Sequence, residues 1–243
     1  MGGEVNPLSG PGGLHAQVVD AIGSRIATGE LVPGSVLSTE RIEQEHGVSR
    51  SVVREVLRTL TGLGMVQPRH RVGTTVLPVA AWNLLDPRVI TWRAAGPDSR
   101  RQLGELLTLR EALEPMAARS AAAGRDDETT ATLREALAGM TTAFEDGKPH
   151  DFATADTAFH EALLRGARND VLSQLVQTVL ATLHARYTGH RSFNDETAVS
   201  LDRHRELVDA VAAGDQAAAE AASRALVREA RAEVLGTASE EEN

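Results

Sequence analysis

Asp156 and His160 stand four residues apart in DFATADTAFHEALL, and His204 stands in SLDRHRELVDAV. In the first stretch Phe152, Phe159 and Leu163 mark an apolar helical face, and both polar residues lie on or beside it. In the second, Leu201, Val208 and Val211 put His204 on the inward side. A carboxylate turned inward needs a partner, because an uncompensated buried charge is strongly disfavoured or takes up a proton. One carboxylate and two imidazoles are ligands for a first-row divalent metal, and residues at i and i+4 can converge on one ion. The same residues also suit an Asp–His hydrogen-bonded core pair, and spacing alone leaves both readings open. Arg110 is another inward charge, set among Leu103, Leu106, Leu113 and Ala117. Its guanidinium suits either a pair with Glu114, one turn on, or bidentate capture of a ligand carboxylate. Arg186, beside Leu183 and Tyr187, is a second candidate for that anion, and His184 and His190 are candidates to line the same pocket.

A different chemistry is written in VSRSVVREVLRTL, residues 48–60, where Arg50, Arg54 and Arg58 recur every four residues and Val53, Val56, Leu57 and Leu60 form the opposite face. A guanidinium can bond O6 and N7 of guanine together, or clamp a phosphate, and it keeps its charge at any physiological pH. A solvated surface helix has the same spacing, so the surroundings must decide.

Those surroundings read as helix, short helix, tight turn and third helix. LHAQVVDAIGSRIATGEL carries Val18, Ile22 and Ile26 at helical spacing and stops near Gly29. LSTERIEQEHGVS predicts a short helix capped by Ser38 or Thr39, ending at His46 with Gly47 in the turn, and Ser49 is placed to cap the arginine helix. This is the order of a helix-turn-helix. Met65–Val66 and Thr74–Leu77 then read as strands around a turn over Pro68–Gly73, a candidate wing. Residues 79–101 hold both tryptophans and read as a connector. From Leu103 onward about six amphipathic helices are expected, separated by polar breaks, with neither repeat nor strand. The expected organisation is a flexible start at 1–12, a winged helix-turn-helix at 13–78, the connector at 79–101, an all-helical bundle at 102–235 and a polar tail at 236–243.

Composition agrees with a mainly α chain: aromatics are 3% of the 243 residues, which disfavours β-rich folds. There is no cysteine, so disulfides and thiolate chemistry are excluded, and no apolar run is long enough to span a membrane. A soluble cytoplasmic protein is expected. The net charge of -9 is unevenly spread: residues 1–80 hold seven arginines against seven acids, and the remainder carries the whole excess. A local arginine patch can therefore still attract phosphate over a screening length of roughly 8 Å.

The stretch from 14 to 77, centred on GELVPGSVLSTERIEQEHGVSRSVVREVLRTLTGLGMVQPRHRVGTTV, resembles the winged-helix domain of GntR-family transcription regulators. LREALEPMAARSAAA, ADTAFHEALLRGARN and DRHRELVDAVAAGD are similar to the C-terminal domain of the FadR branch, the FCD type. The resemblance implies a homodimer whose first domain binds operator DNA and whose second binds a small effector. It implies DNA contacts from Arg41, Ser49, Arg50, Ser51 and Arg54 and from the wing tip at His70 and Arg71. Arg71 is a departure, because it fills the first glycine slot of the branch's usual wing. The resemblance also implies a divalent metal such as Zn, Ni or Mn on Asp156, His160 and His204. The fourth ligand position of that pattern is occupied here by Leu226. Residues 82–93, WNLLDPRVITWR, are similar to a segment of sugar-acid-responsive members, which implies a small carboxylate effector met by Arg110 and Arg186.

Three functions compete on this reading: an effector-controlled DNA-binding repressor, a metal-dependent enzyme built on Asp156, His160 and His204, and a winged-helix module that binds protein instead of DNA. No HExxH, P-loop or GxSxG sequence supports the second.

Overall fold

The structure, a computed structural model, describes residues 13–187, 193 and 195–236. The expected flexible start, His190 and the tail beyond Gly236 lie outside the described residues. The chain divides into two compact units, Met1–Asp98 and Ser99–Asn243. Among the described residues no helix is long and apolar enough to cross a membrane.

In the first unit α1 (Gly13–Ala27) buries Val18, Val19, Ile22 and Ile26 in a core shared with Val53, Val56 and Leu60 of α3 (Arg50–Gly62). Leu57 is only half-buried at the edge of that core. Between them α2 (Thr39–His46) begins where the Ser38 hydroxyl accepts the Arg41 amide at 3.2 Å. It ends at Gly47, whose φ of 62° is the left-handed conformation glycine adopts without strain. Ser49 stands at the N-cap position of α3, but its hydroxyl makes no capping bond and lies 2.8 Å from the Ser51 hydroxyl. The expected cap is thus one of position only.

The wing is a three-stranded antiparallel sheet of β1 (Val36–Leu37), β2 (Val66–Arg69) and β3 (Gly73–Val76), in the order β1-β3-β2. Pro68 pairs with Thr74 inside the ladder, so the turn is narrower than Pro68–Gly73. β2 is an edge strand, where the missing proline N–H leaves no ladder bond unmade. Residues 79–98 are packed into this unit. Asp86 caps α4 (Pro87–Ala94), and Trp82, Val89 and Trp92 join the core of α1 and α3. The indole N–H of Trp92 donates to Asp20 at 3.2 Å.

The second unit contains, among its described residues, seven helices: α5 (Ser99–Gly124), α6 (Asp127–Glu145), α7 (Pro149–Gly166), α8 (Asp170–Ser173), α9 (Val176–Tyr187), α10 (Asp195–Ala213) and α11 (Gln216–Gly236). The helix beyond the expected six is α8, a single turn capped by Asn169. Ala117, Ala118, Ala121 and Ala122 of α5 are all buried. A seam of methyl groups lets helices approach closely, and α5 packs extensively on α11. Phe152, Phe159 and Leu163 of α7 fill the main core with Leu133, Met140, Leu207 and Val211.

Gly23 leaves no room for a side chain, since a Cβ there would stand 2.5 Å from the Trp92 ring. Gly23→Ala is expected to lower stability by about 1–3 kcal/mol through overpacking. Urea unfolding followed by tryptophan fluorescence reads this directly, because both tryptophans lie in this unit. An unchanged midpoint would contradict the seating of Trp92.

Candidate functional site

The first candidate surface is the outer face of α3 with the wing. Arg41, Ser49, Arg50, Ser51, Arg54, His70 and Arg71 are all exposed. Their charges are not equally available. Arg41 bonds Glu45 at 2.7 Å and Arg58 lies 3.5 Å from Glu55, while Arg25 is held by Glu30 and Glu45. The guanidinium groups of Arg50, Arg54, Arg69 and Arg71 make no ion pair or hydrogen bond among the described residues, although the Arg50 charge is near enough to contribute to lowering the Glu40 carboxyl. Two of these begin α3 and two flank the tip of the wing. Arg69 is not singled out in the sequence, where it falls inside the turn expected over Pro68–Gly73; the structure makes it the last residue of β2. The tip is a turn closed by the Val72 N–H on the Arg69 carbonyl at 3.1 Å, and Arg71 sits in it at φ 62°. That is a conformation glycine takes more easily, so the arginine is held there against a local preference.

The second candidate is a buried cluster in the helical unit. Arg110, Glu114, Asp156, His160 and His204 are each 2% exposed or less. Arg110 and Glu114 come from α5, Asp156 and His160 from α7, and His204 from α10. Asp156, His160 and His204 offer ligand atoms that all lie within 4.8 Å of one another. Asp156 Oδ1 is the meeting point: His204 Nε2 is 3.1 Å from it and His160 Nε2 is 3.6 Å from it. On the far side of each ring Nδ1 faces an acceptor. His160 Nδ1 is 2.8 Å from Glu114 Oε2, and His204 Nδ1 is 2.7 Å from the Ser200 carbonyl. Both acceptors require an N–H on Nδ1, which leaves the lone pair of each neutral ring on Nε2.

Three electron-rich atoms are therefore aimed at one another in a water-poor interior, and His204 Nε2 has no aligned hydrogen-bond partner. Arg110 Nη2, 3.1 Å from His160 Nε2, brings a positive charge to that ring; between Asp156 and His204 the arrangement calls for a proton on the imidazole or a metal ion. The donor set and its outer partners, a carboxylate behind one imidazole and a carbonyl behind the other, fit a divalent cation. Burial alone would raise the Asp156 carboxyl, but the hydrogen bonds and charges of His160 and His204 outweigh it and hold it well below its usual range. Glu114 behaves alike: burial pushes it up, and the Arg110 and His160 charges bring it to about 2. For His160, burial pushes down and Arg110 adds to that, yet Glu114 and Asp156 together raise it.

Leu226, at the expected fourth ligand position, is buried in the apolar core and brings no donor. Arg110 is fully buried beside Glu114, not exposed on a helix surface. Its Nη2 reaches Glu114 at 3.3 Å and both ring nitrogens of His160 at 3.1 and 3.3 Å, while Nη1 is buried without a hydrogen-bond partner. Arg186 is instead tied to Glu233 at 2.7 Å, and His184 is exposed. Two members of the cluster were not identified from sequence. Glu114 appears there only as a partner for Arg110, and its contact to His160 crosses two helices. Tyr187 donates its hydroxyl to Asp156 Oδ2 at 3.0 Å. A surface cavity of about 400 Å³ is lined by Glu111, Arg228, Arg231, Ala232 and Leu235, where the one carboxylate of Glu111 meets Arg228 at 2.6 Å and Arg231 at 3.6 Å.

A model of bacterial regulatory proteins of the gntR family matches residues 14–76, and a model of the FCD domain matches residues 105–229. The chain is 33% identical over 216 residues to the uncharacterized HTH-type transcriptional regulator YieP of Escherichia coli (strain K12), covering 88% of this chain and 93% of that protein. It is 30% identical over 214 residues to the galactonate operon transcriptional repressor of the same organism, covering 87% and 92%. Among solved structures, Streptococcus agalactiae GntR superposes with a TM-score of 0.53 at 22% identity, over 90% of this chain and 99% of the other. E. coli McbR/YncC does so with 0.54 at 21%, over 92% and 98%. At such identities the structures speak for the fold alone.

Breaking the buried Arg110–Glu114 pair tests the cluster's architecture. Glu114→Ala strands the arginine charge and is expected to lose about 3–5 kcal/mol in urea unfolding followed by circular dichroism, whereas Arg110→Met/Glu114→Leu recovers most of it. Equal losses for single and double variants would mean that the charges are not coupled.

Proposed function

The chain belongs to the gntR family of bacterial regulatory proteins and carries an FCD domain, and from that premise we propose that it is a dimeric repressor that reads operator DNA with its first unit and answers to a small carboxylate held in its second. Membership makes it a transcriptional regulator and not an enzyme. The metal-dependent hydrolase or oxygenase is thereby set aside.

The observation that carries the DNA half is the sorting of the arginines. Acids of the same unit neutralise Arg25, Arg41 and Arg58, while Arg50, Arg54, Arg69 and Arg71 are left for an external anion. In a helix-turn-helix the start of the second helix addresses base edges, which assigns that role to Arg50 and Arg54, with the hydroxyls of Ser49 and Ser51 on phosphate. His70 and Arg71 extend the contact from the wing. Arg41 reaches phosphate by exchanging Glu45 for it. A dimer presents two such helices to the halves of a palindrome. The same sorting favours DNA over a protein partner, because a row of unpaired arginines matches a phosphate backbone.

The effector half rests on charge. Apart from the two imidazoles, the buried set holds the one positive charge of Arg110 against the carboxylates of Glu114 and Asp156. When bound by Asp156, His160 and His204, a divalent ion such as Zn, Ni or Mn supplies Lewis acidity and turns that deficit into a surplus. Arg110, with Nη1 unpartnered, then stands ready to bond a carboxylate in the same interior. With Leu226 in place of a fourth donor, a coordination position is left to an outside oxygen ligand. Thirty per cent identity to a galactonate operon repressor favours a sugar acid. Arg186 would meet the effector only by giving up Glu233, its partner at 2.7 Å.

Two measurements test this. On a duplex selected from random sequence, Arg50→Ala and Arg54→Ala are each expected to lose about 1–3 kcal/mol of discrimination by fluorescence anisotropy. Arg58→Ala is expected to lose less, and an equal loss would overturn the docking by the start of α3. Separately, chelator-treated protein is expected to take up a divalent ion in calorimetry, and Asp156→Ala to abolish the uptake. Retention by that variant would remove the cation from the reading.

A further inference from the structure

Asp156 has two oxygens, and the structure gives them different neighbours. Oδ1 faces the two Nε2 atoms, while Oδ2 accepts the Tyr187 hydroxyl at 3.0 Å. Tyr187 ends α9 and packs half-buried against the main core. Its ring is itself held: the Arg186 guanidinium lies 5.6 Å from the ring centroid, and Arg186 is fixed by Glu233 of α11 at 2.7 Å. A chain of contacts thus runs from Glu233 through Arg186 and Tyr187 to the outer oxygen of the carboxylate.

We propose that Tyr187 is a positioning residue for the cation site, holding Asp156 so that Oδ1 alone is presented to the ion, with Arg186 as its brace. The proposal rests on the reading of Asp156, His160 and His204 as cation ligands. Its reason lies in the number of donors. A carboxylate can bind through one oxygen or two, and with leucine at position 226 the three protein ligands do not close the site. If Asp156 turned both oxygens to the ion, it would fill a position that an outside ligand needs. A hydroxyl donating to Oδ2 keeps that oxygen engaged elsewhere and fixes the plane of the carboxylate, the task that outer hydrogen bonds perform around metal ligands. It also gives Arg186 a use that matches its place: its charge is met by Glu233, and its flat face steadies a ring.

The chain contains a single tyrosine, so this residue can be observed by itself. Full-length protein labelled with 3-fluorotyrosine, stripped with chelator and titrated with Zn2+, is expected to show one fluorine resonance that moves and saturates with the calorimetric dissociation constant. Tyr187→Phe keeps the ring and removes only the hydroxyl; it is expected to weaken Zn2+ binding by about 10- to 100-fold while leaving the thermal transition of the zinc-free protein in place. Zinc binding by the wild type with a stationary resonance and an unweakened Tyr187→Phe overturns the proposal. Absence of zinc uptake by the wild type overturns the cation reading itself, and this inference with it. Should Tyr187→Phe fail to fold, the movement or immobility of the wild-type resonance decides.

Discussion

A negative charge that water cannot reach organises the helical unit. Asp156 is closed off from solvent, and its carboxylate is met from three helices: by His160 on its own α7, by Tyr187 at the end of α9 and by His204 on α10. Through His160 the constraint reaches α5, where Glu114 takes the other side of the imidazole and Arg110 neutralises Glu114. Removing any one partner leaves a polar atom in a medium that cannot hydrate it, so each contact enforces the others. The apolar core of Phe159, Leu163, Leu207 and Val211 makes the bundle compact, but it would tolerate neighbouring arrangements. The charged centre selects among them.

The first unit solves a different electrostatic problem. It has as many acids as arginines among its first eighty residues, and neutrality by itself would blunt attraction to phosphate. The acids are distributed so that they meet particular cations: Glu45 lies between Arg25 and Arg41, and Glu55 beside Arg58. Positive potential then concentrates where pairing is missing, at the start of α3 and at the tip of the wing. A uniformly basic surface would bind any polyanion, whereas one with part of its charge cancelled depends on where the remaining arginines stand.

Local features were legible in the sequence. Ser38, Gly47 and the apolar stripe of α3 act over three or four residues, and the periodicity around Asp156, His160 and His204 turned these side chains inward before any packing was known. Features that depend on distant pairing were not. β1 is two residues long and exists because β3 lies beside it. Pro68, read as turn, lies in a strand because that strand is on an edge. Tyr187 and Glu114 carry no mark of their roles, since their bonds to Asp156 and His160 cross from one helix to another. Ser49 had the right type and place for a cap, yet another hydroxyl two residues on holds it instead.

The alanines of α5 have a mechanical consequence. Ala117, Ala118, Ala121 and Ala122 are all buried, and a methyl group has no rotamers to change. A strain arising near Glu114 cannot be absorbed along this seam by side chains swinging into new wells. Its natural relief would be one helix sliding on its neighbour, on one side where Ala118, Ala121 and Ala122 meet Ala219 and Ala222, and on the other where Ala117 meets Leu164 and Val179. A bundle with larger residues along this line would soften the same strain where it began; short side chains leave whole helices as the parts that can give.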